Sequence, residues 1–152
     1  MLFRSINGPI RTTGGITLRD AVSGNNITLD AGGASVTANS TSNNLAGTLT
    51  VNGGTNAGAS VNLINQAALT VAGNFSNITA QTTAATQGIS LTSSAPTLTV
   101  TGVTTTNGPI SLSDPTGNLV IAGNVTANGG AVTTSASSAG TQTLQSGTLS
   151  AG

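Results

Sequence analysis

The sequence contains no cysteine, histidine, tryptophan or tyrosine, and lysine and glutamate are missing as well. Its charged side chains are Arg4, Arg11, Arg19, Asp20, Asp30 and Asp114, so everything after Asp30 carries one ionisable group, Asp114. Each absence removes a class of function. Without cysteine there are no disulfides and no thiolate metal ligands. Without histidine the commonest general base and metal ligand is gone. Phosphate backbones are held by clustered Lys and Arg, and three Arg near one end form no such cluster, so no nucleic-acid partner is expected. The same shortage removes electrostatic attachment to anionic lipid. No run approaches the roughly 20 apolar residues of a membrane-spanning helix. The stretch from Met1 to Thr13 lacks a basic segment followed by an apolar one, so an export signal, if the protein is secreted, is expected outside this sequence.

What remains is small, polar and β-branched, with 21 glycines. Such a composition also suits a disordered linker. The placement of the aliphatic residues counts against that reading. Ile16-Thr17-Leu18, Ile27-Thr28-Leu29, Leu49-Thr50-Val51 and Leu69-Thr70-Val71 each set two apolar residues two apart around a hydroxyl, and so do Ile89-Ser90-Leu91 and Leu98-Thr99-Val100. Leu119-Val120-Ile121 departs only at its centre. Alternation puts the apolar pair on one face of a strand and the hydroxyl on the other. No segment holds a helical period, and the Gly and Thr content disfavours helix. Between these strands lie Gly14-Gly15, Gly24-Asn25-Asn26, Gly32-Gly33, Asn52-Gly53-Gly54, Gly73-Asn74, Asn107-Gly108-Pro109, Asp114-Pro115 and Asn128-Gly129-Gly130. Gly and Asn tolerate positive φ, so each is a candidate corner.

Repeats fix the strand order. Gly88-Ile89-Ser90-Leu91 returns 21 residues later as Pro109-Ile110-Ser111-Leu112, and Thr97-Leu98-Thr99-Val100 returns at the same step as Asn118-Leu119-Val120-Ile121. Thr101–Thr104 corresponds to Ala122–Thr126 with one residue added, and a degenerate third copy begins at Gly130-Ala131-Val132. Leu69–Phe75 matches Leu119–Val125 at a spacing of 50, which suggests an insertion, with Ala80–Gln87 its natural place. Asn7-Gly8-Pro9-Ile10 echoes Asn107-Gly108-Pro109-Ile110. Three strands returning in order make a coil rather than a series of hairpins. The expected fold is all-β, a parallel β-solenoid occupying residues 1–152 as a single repeat domain. It should have three short strands and about 20–22 residues per turn, hence roughly seven turns and a rod of roughly 35 Å at ~4.8 Å per turn. Asn at repeated corners should form an amide ladder.

The run Asn107–Leu112 through Asn118–Gly130, and the similar turns Gly14–Thr37 and Gly88–Thr104, resemble the repeats of filamentous-haemagglutinin-type adhesins. Those belong to large exoproteins exported by two-partner secretion or as autotransporters. The resemblance implies a right-handed parallel β-helix, passage through a secretion pore to the cell surface or exterior, and a role in adhesion, biofilm or surface coating. Contact with a host or abiotic surface or a glycan would then be made through the parent fibre. The export-signal region and haemagglutination domain of that family have no counterpart here, so an interior piece of a longer fibre is expected.

No catalytic, cofactor-binding or metal-binding residue is expected. Carbohydrate-active β-helices need carboxylates, or Arg and Lys, converging on one face. Asp20 and Asp30 stand about half a turn apart, Asp114 lies some four turns away as a corner residue beside Pro115, and Arg19-Asp20 reads as a solvated pair. Calcium-binding nonapeptide repeats need Asp at a fixed place after Gly-Gly-x-Gly. The Gly-Gly pairs here precede Ile16, Ala34, Thr55 and Ala131, and read as tight corners. Asn26, Asn39, Asn74, Asn77 and Asn124 begin Asn-x-Ser/Thr sequons, as chance provides in such a composition. The alternative to a shaft is an ice- or glycan-binding solenoid that uses outward Thr, Ser and Asn ladders. Thr48-x-Thr50, Thr97-x-Thr99-x-Thr101 and Thr141-x-Thr143 have the spacing, but do not recur regularly along the sequence. With so little charge to guard an open sheet edge, end-to-end association of copies is the expected hazard.

Overall fold

The computed structural model describes residues 4–6 and 8–152. Asn7, and with it the start of the N-terminal echo, lies outside the described residues, as does the side chain of Arg4. The described chain is all-β. Sheet 1 holds β1 (Arg4–Ile6), β4 (Val22–Asn25) and β7 (Asn44–Ala46). Sheet 2 stacks β2 (Ile10–Arg11), β5 (Thr28–Asp30), β8 (Thr48–Gly53), β10 (Leu69–Phe75), β12 (Ile89–Ser93), β14 (Ile110–Asp114) and β17 (Val132–Ala136) in that order. Sheet 3 stacks β3 (Ile16–Leu18), β6 (Val36–Ala38), β9 (Val61–Asn65), β11 (Asn77–Thr82), β13 (Thr97–Thr105), β15 (Asn118–Ile121) and β18 (Gln142–Leu144). Beside this path, β16 (Val125–Ala127) pairs with β13 and with β19 (Leu149–Ala151). The pairings are parallel throughout, as in a coil whose strands meet their counterparts one turn on. This is the expected β-solenoid, with seven turns counted along sheet 2.

Alternation in the sequence becomes columns in the core. Ile16, Val36, Val61, Ile78, Val100, Ile121 and Leu144 follow one another turn by turn in sheet 3. Leu69, Ile89, Ile110 and Val132 do the same in sheet 2. Most of these side chains are fully buried. Each such Leu, Ile or Val contributes roughly 1.5–3 kcal/mol through its burial. A solenoid nearly free of aromatics therefore still has a continuous core, thin but running from Ile16 to Ala127. In the later turns sheet 3 bends around a corner. The register of β13 against β11 shifts at Thr101, which sits as a bulge between Val100 and Gly102. Its Oγ1 donates to the Ile78 carbonyl at 2.8 Å. A bulge of this kind bends the strand and raises its local twist.

The structure corrects two expectations about the repeat. Leu69–Phe75 and Leu119–Val125 are not equivalent, because Leu69 stands in sheet 2 beside Ile89 and Leu119 in sheet 3 beside Leu98. Their likeness reflects the same alternation on two different sides of the coil. Nor is there an insertion in Ala80–Gln87, since Leu69 reaches Ile89 in a step of 20. The long step, 25 residues from Val36 to Val61, carries its extra residues between Gly53 and Val61, and the next, to Ile78, is only 17. Strand register is held by the ladder, and the loops absorb the difference.

Candidate functional site

Asp20 is exposed beside the equally exposed Arg19, between β3 and β4. Asp30 ends β5, and its Oδ1 accepts from Asn52 Nδ2 at 2.8 Å and from the Gly32 amide at 3.2 Å. Asp114 does sit at a corner, as expected, but it is fully buried. Its Oδ1 accepts from the amides of Thr116 and Gly117, at 3.2 and 2.8 Å, and from Thr116 Oγ1 at 3.2 Å. Its Oδ2 is buried with no partner among the described residues. The three carboxylates therefore stand apart, and the described residues hold no cluster of three or more metal-ligating side chains.

Two polar arrangements emerge instead. The first is internal. Asn43 and Asn65 are both fully buried. Asn43 Oδ1 accepts from the Val22 amide at 2.9 Å, one turn back, while its Nδ2 donates to Ala38 O at 2.9 Å and to Ile64 O at 3.0 Å, one turn on. Asn65 then binds both the amide and the carbonyl of Leu45, at 2.8 and 2.9 Å. In the next turns the buried Thr82 and Thr105 turn their hydroxyls to the carbonyls of Gln87 and Gly108, at 2.9 and 2.6 Å. Ala127 ends the column above Thr105. In place of the expected amide ladder at the Gly-Asn corners, an internal ladder forms in which Asn43 and Asn65 bond backbone groups rather than each other. The sequence signal for it was weak: Asn43 and Asn65 border short apolar runs without a glycine beside them.

The second is external and covers sheet 2. Outward side chains form one column of Thr48, Thr70, Ser90, Ser111 and Thr133. Alongside it runs another of Thr28, Thr50, Ala72, Thr92, Ser113 and Ser135. Ten of these eleven positions carry a hydroxyl, and none is charged. Ser135 Oγ donates to Ser113 Oγ at 2.9 Å, and Thr133 Oγ1 to Ile110 O at 3.2 Å. A shallow depression of about 270 Å³ follows the first column, with Ala68 and Pro109 among its lining residues. Hydroxyls that looked irregular along the sequence are thus regular across the sheet. Of the three Thr groups noted in the sequence, only Thr48-x-Thr50 belongs to this face. Thr97 and Thr99 stand in sheet 3, against Asn118 and Val120, and Thr143 also neighbours Val120.

The geometry defines the class, a parallel β-solenoid, and nothing narrower. Among known proteins, the chain matches no family model, no curated protein and no solved structure.

Proposed function

We propose that this chain is a structural shaft of a large bacterial secreted or cell-surface fibre, which contributes to adhesion, biofilm or surface coating without catalysing a reaction. The observation that carries the reading is the single unbroken core through seven stacked turns, wrapped in a nearly uncharged surface. Repeat coils of this kind convert sequence length into rod length with few special residues. The likeness to filamentous-haemagglutinin-type repeats supplies the rest: export through a secretion pore, and contact with host or abiotic surfaces or glycans made by the parent fibre. Antibodies raised against the folded chain should label the outside of intact source cells, and protease treatment should remove the label. Signal confined to the cell interior would overturn the reading.

The hydroxyl columns of sheet 2 favour a second reading, in which this face binds ice or a glycan. Thermal hysteresis and glycan-array binding by the isolated chain test it. Lysine at Thr70 and Ser111 should abolish whichever signal appears, and the absence of both signals sinks this reading.

A further inference from the structure

The corner after β14 is closed by a carboxylate, although a hydroxyl closes the same corner one turn earlier. Asp114 is fully buried, and its Oδ1 takes bonds from the Thr116 and Gly117 amides and from Thr116 Oγ1. Its Oδ2 is buried with no partner among the described residues. Such an orphan is costly, and native folds hold few of them. Thr92 faces Ser113, so Ser93 is the counterpart of Asp114 in the preceding turn. Ser93 is buried as well, yet its hydroxyl donates to Phe75 O and accepts from the Ala95 amide at 3.0 Å. A satisfied serine is therefore enough for this place, and the carboxylate calls for another reason. What sets Asp114 apart is the residue after it. Pro115 follows Asp114, whereas Asp20 and Asp30 both precede alanine. The donors to Oδ1 belong to the second and third residues past Asp114, so the carboxyl group is held alongside the Asp114–Pro115 peptide bond with Oδ2 free. Pro115 itself is exposed.

We propose that the Asp114–Pro115 bond is a self-scission site. Asp114 Oδ2 attacks the backbone carbonyl carbon of its own residue and closes a five-membered ring. Holding the carboxylate beside that carbon makes the attack intramolecular and favours it over attack by water. The bond from this carbon to the Pro115 nitrogen then breaks. That nitrogen belongs to a tertiary amide and carries no hydrogen. It takes a proton from solvent, which the exposed Pro115 admits, and leaves as a secondary amine. Water opens the cyclic anhydride, giving one chain that ends at Asp114 and one that begins at Pro115, together heavier than the parent by one water. No other ionisable side chain follows Asp30, so no neighbouring charge takes part. The ladder holds the cut coil together, because β14 stays paired with β17 and β13 with β15 and β16. The inference needs the coil but not the fibre reading. Loss of surface labelling leaves it standing, and an uncut chain leaves the fibre reading standing.

The test is mass spectrometry of the 152-residue chain, incubated folded in mildly acidic buffer and denatured just before measurement. The expected result is two fragments that meet at Asp114 and Pro115, with no cut after Asp20 or Asp30. The same chain kept in guanidinium chloride should be cut at least about tenfold more slowly, because nothing then holds the carboxylate in place. Asp114→Asn removes the attacking oxygen and Pro115→Ala the tertiary amide, and both variants should stay whole. Hydroxylamine should intercept the anhydride and leave a hydroxamate at Asp114. A folded chain that stays intact, scission no faster folded than unfolded, or a cut that Asp114→Asn retains would each overturn the proposal. If the variants fail to fold, the folded-against-unfolded comparison of the parent chain decides alone.

Discussion

At the scale of single residues, the side chains that matter most are buried and polar. Asn43 ties three turns together through Val22, Ala38 and Ile64. Replacing it with alanine leaves one amide and two carbonyls without partners, at a cost of about 1–3 kcal/mol for each buried orphan. Asn43→Ala should therefore lose at least about 3 kcal/mol in denaturant unfolding. Asn118→Ala, whose partner Thr141 is exposed, should lose no more than about 1 kcal/mol. Equal losses would mean that the internal ladder is not a special source of stability. Asp114 poses the opposite case. Its Oδ1 organises the corner before Gly117 while its Oδ2 is buried without a partner. Asp114→Asn keeps the acceptor and removes a buried charge, so it should match or exceed the parent in stability. Asp114→Ala should lose on the order of 1–3 kcal/mol with the Oδ1 bonds. Melting temperatures in the order Asn, Asp, Ala check this, and an alanine variant as stable as the parent would refute it.

At the scale of elements, the ladder governs more than the corners do. Gly73, which reads as a corner in the sequence, lies inside β10 with φ of 132°. A Cβ there would collide with the backbone carbonyl oxygen of Val51 in the neighbouring strand. Gly73→Ala should cost on the order of 1–3 kcal/mol from the backbone alone, with more from the collision. Gly14→Ala has only the Thr12 hydroxyl within ordinary contact distance, and should change the unfolding midpoint little. The comparison also shows what was legible beforehand. β12 to β15 could be read from Ile89-Ser90-Leu91, Leu98-Thr99-Val100 and their copies, because one side is buried and the alternation is clean. β4 and β7 could not, since Val22-Ser23-Gly24-Asn25 and Asn44-Leu45-Ala46 offer no alternating apolar pair. The hydroxyl columns of sheet 2 stayed hidden for another reason. Their steps are 22 from Thr48 to Thr70, 20 from Thr70 to Ser90, 21 to Ser111 and 22 to Thr133. A fixed offset in sequence misses them, although hydrogen bonding keeps them aligned. Asn43 and Asn65 were illegible as a pair because their partners are backbone groups, which leave no sequence pattern.

At the scale of the whole molecule, the coil is a one-dimensional stack in which each turn touches mainly the turns before and after it. Sequence and structure agree on the steps from β12 to β14 and from β13 to β15: Ile89 meets Ile110, Leu91 meets Leu112, and Leu98 meets Leu119, all at 21 residues. Excising Ile89–Pro109 should therefore bring Ile110 onto Leu69 and Leu112 onto Val71, apolar on apolar, with Ser111 taking its place outward beside Thr70. The shortened chain should fold with an unchanged circular dichroism shape. Its rod should shorten by ~4.8 Å, visible in small-angle scattering. Its denaturant m-value should fall by roughly one-seventh, because m follows the surface exposed on unfolding. Excising only Thr99–Gly108, about half a turn, joins the start of β13 to the residue before β14. Residues of sheet 2 are then forced against partners in sheet 3, and the inner columns break. That variant should lose cooperative unfolding or aggregate. If the two excisions behave alike, the stability of the rod does not reside in turn-on-turn register, and the account of its core as continuous columns fails.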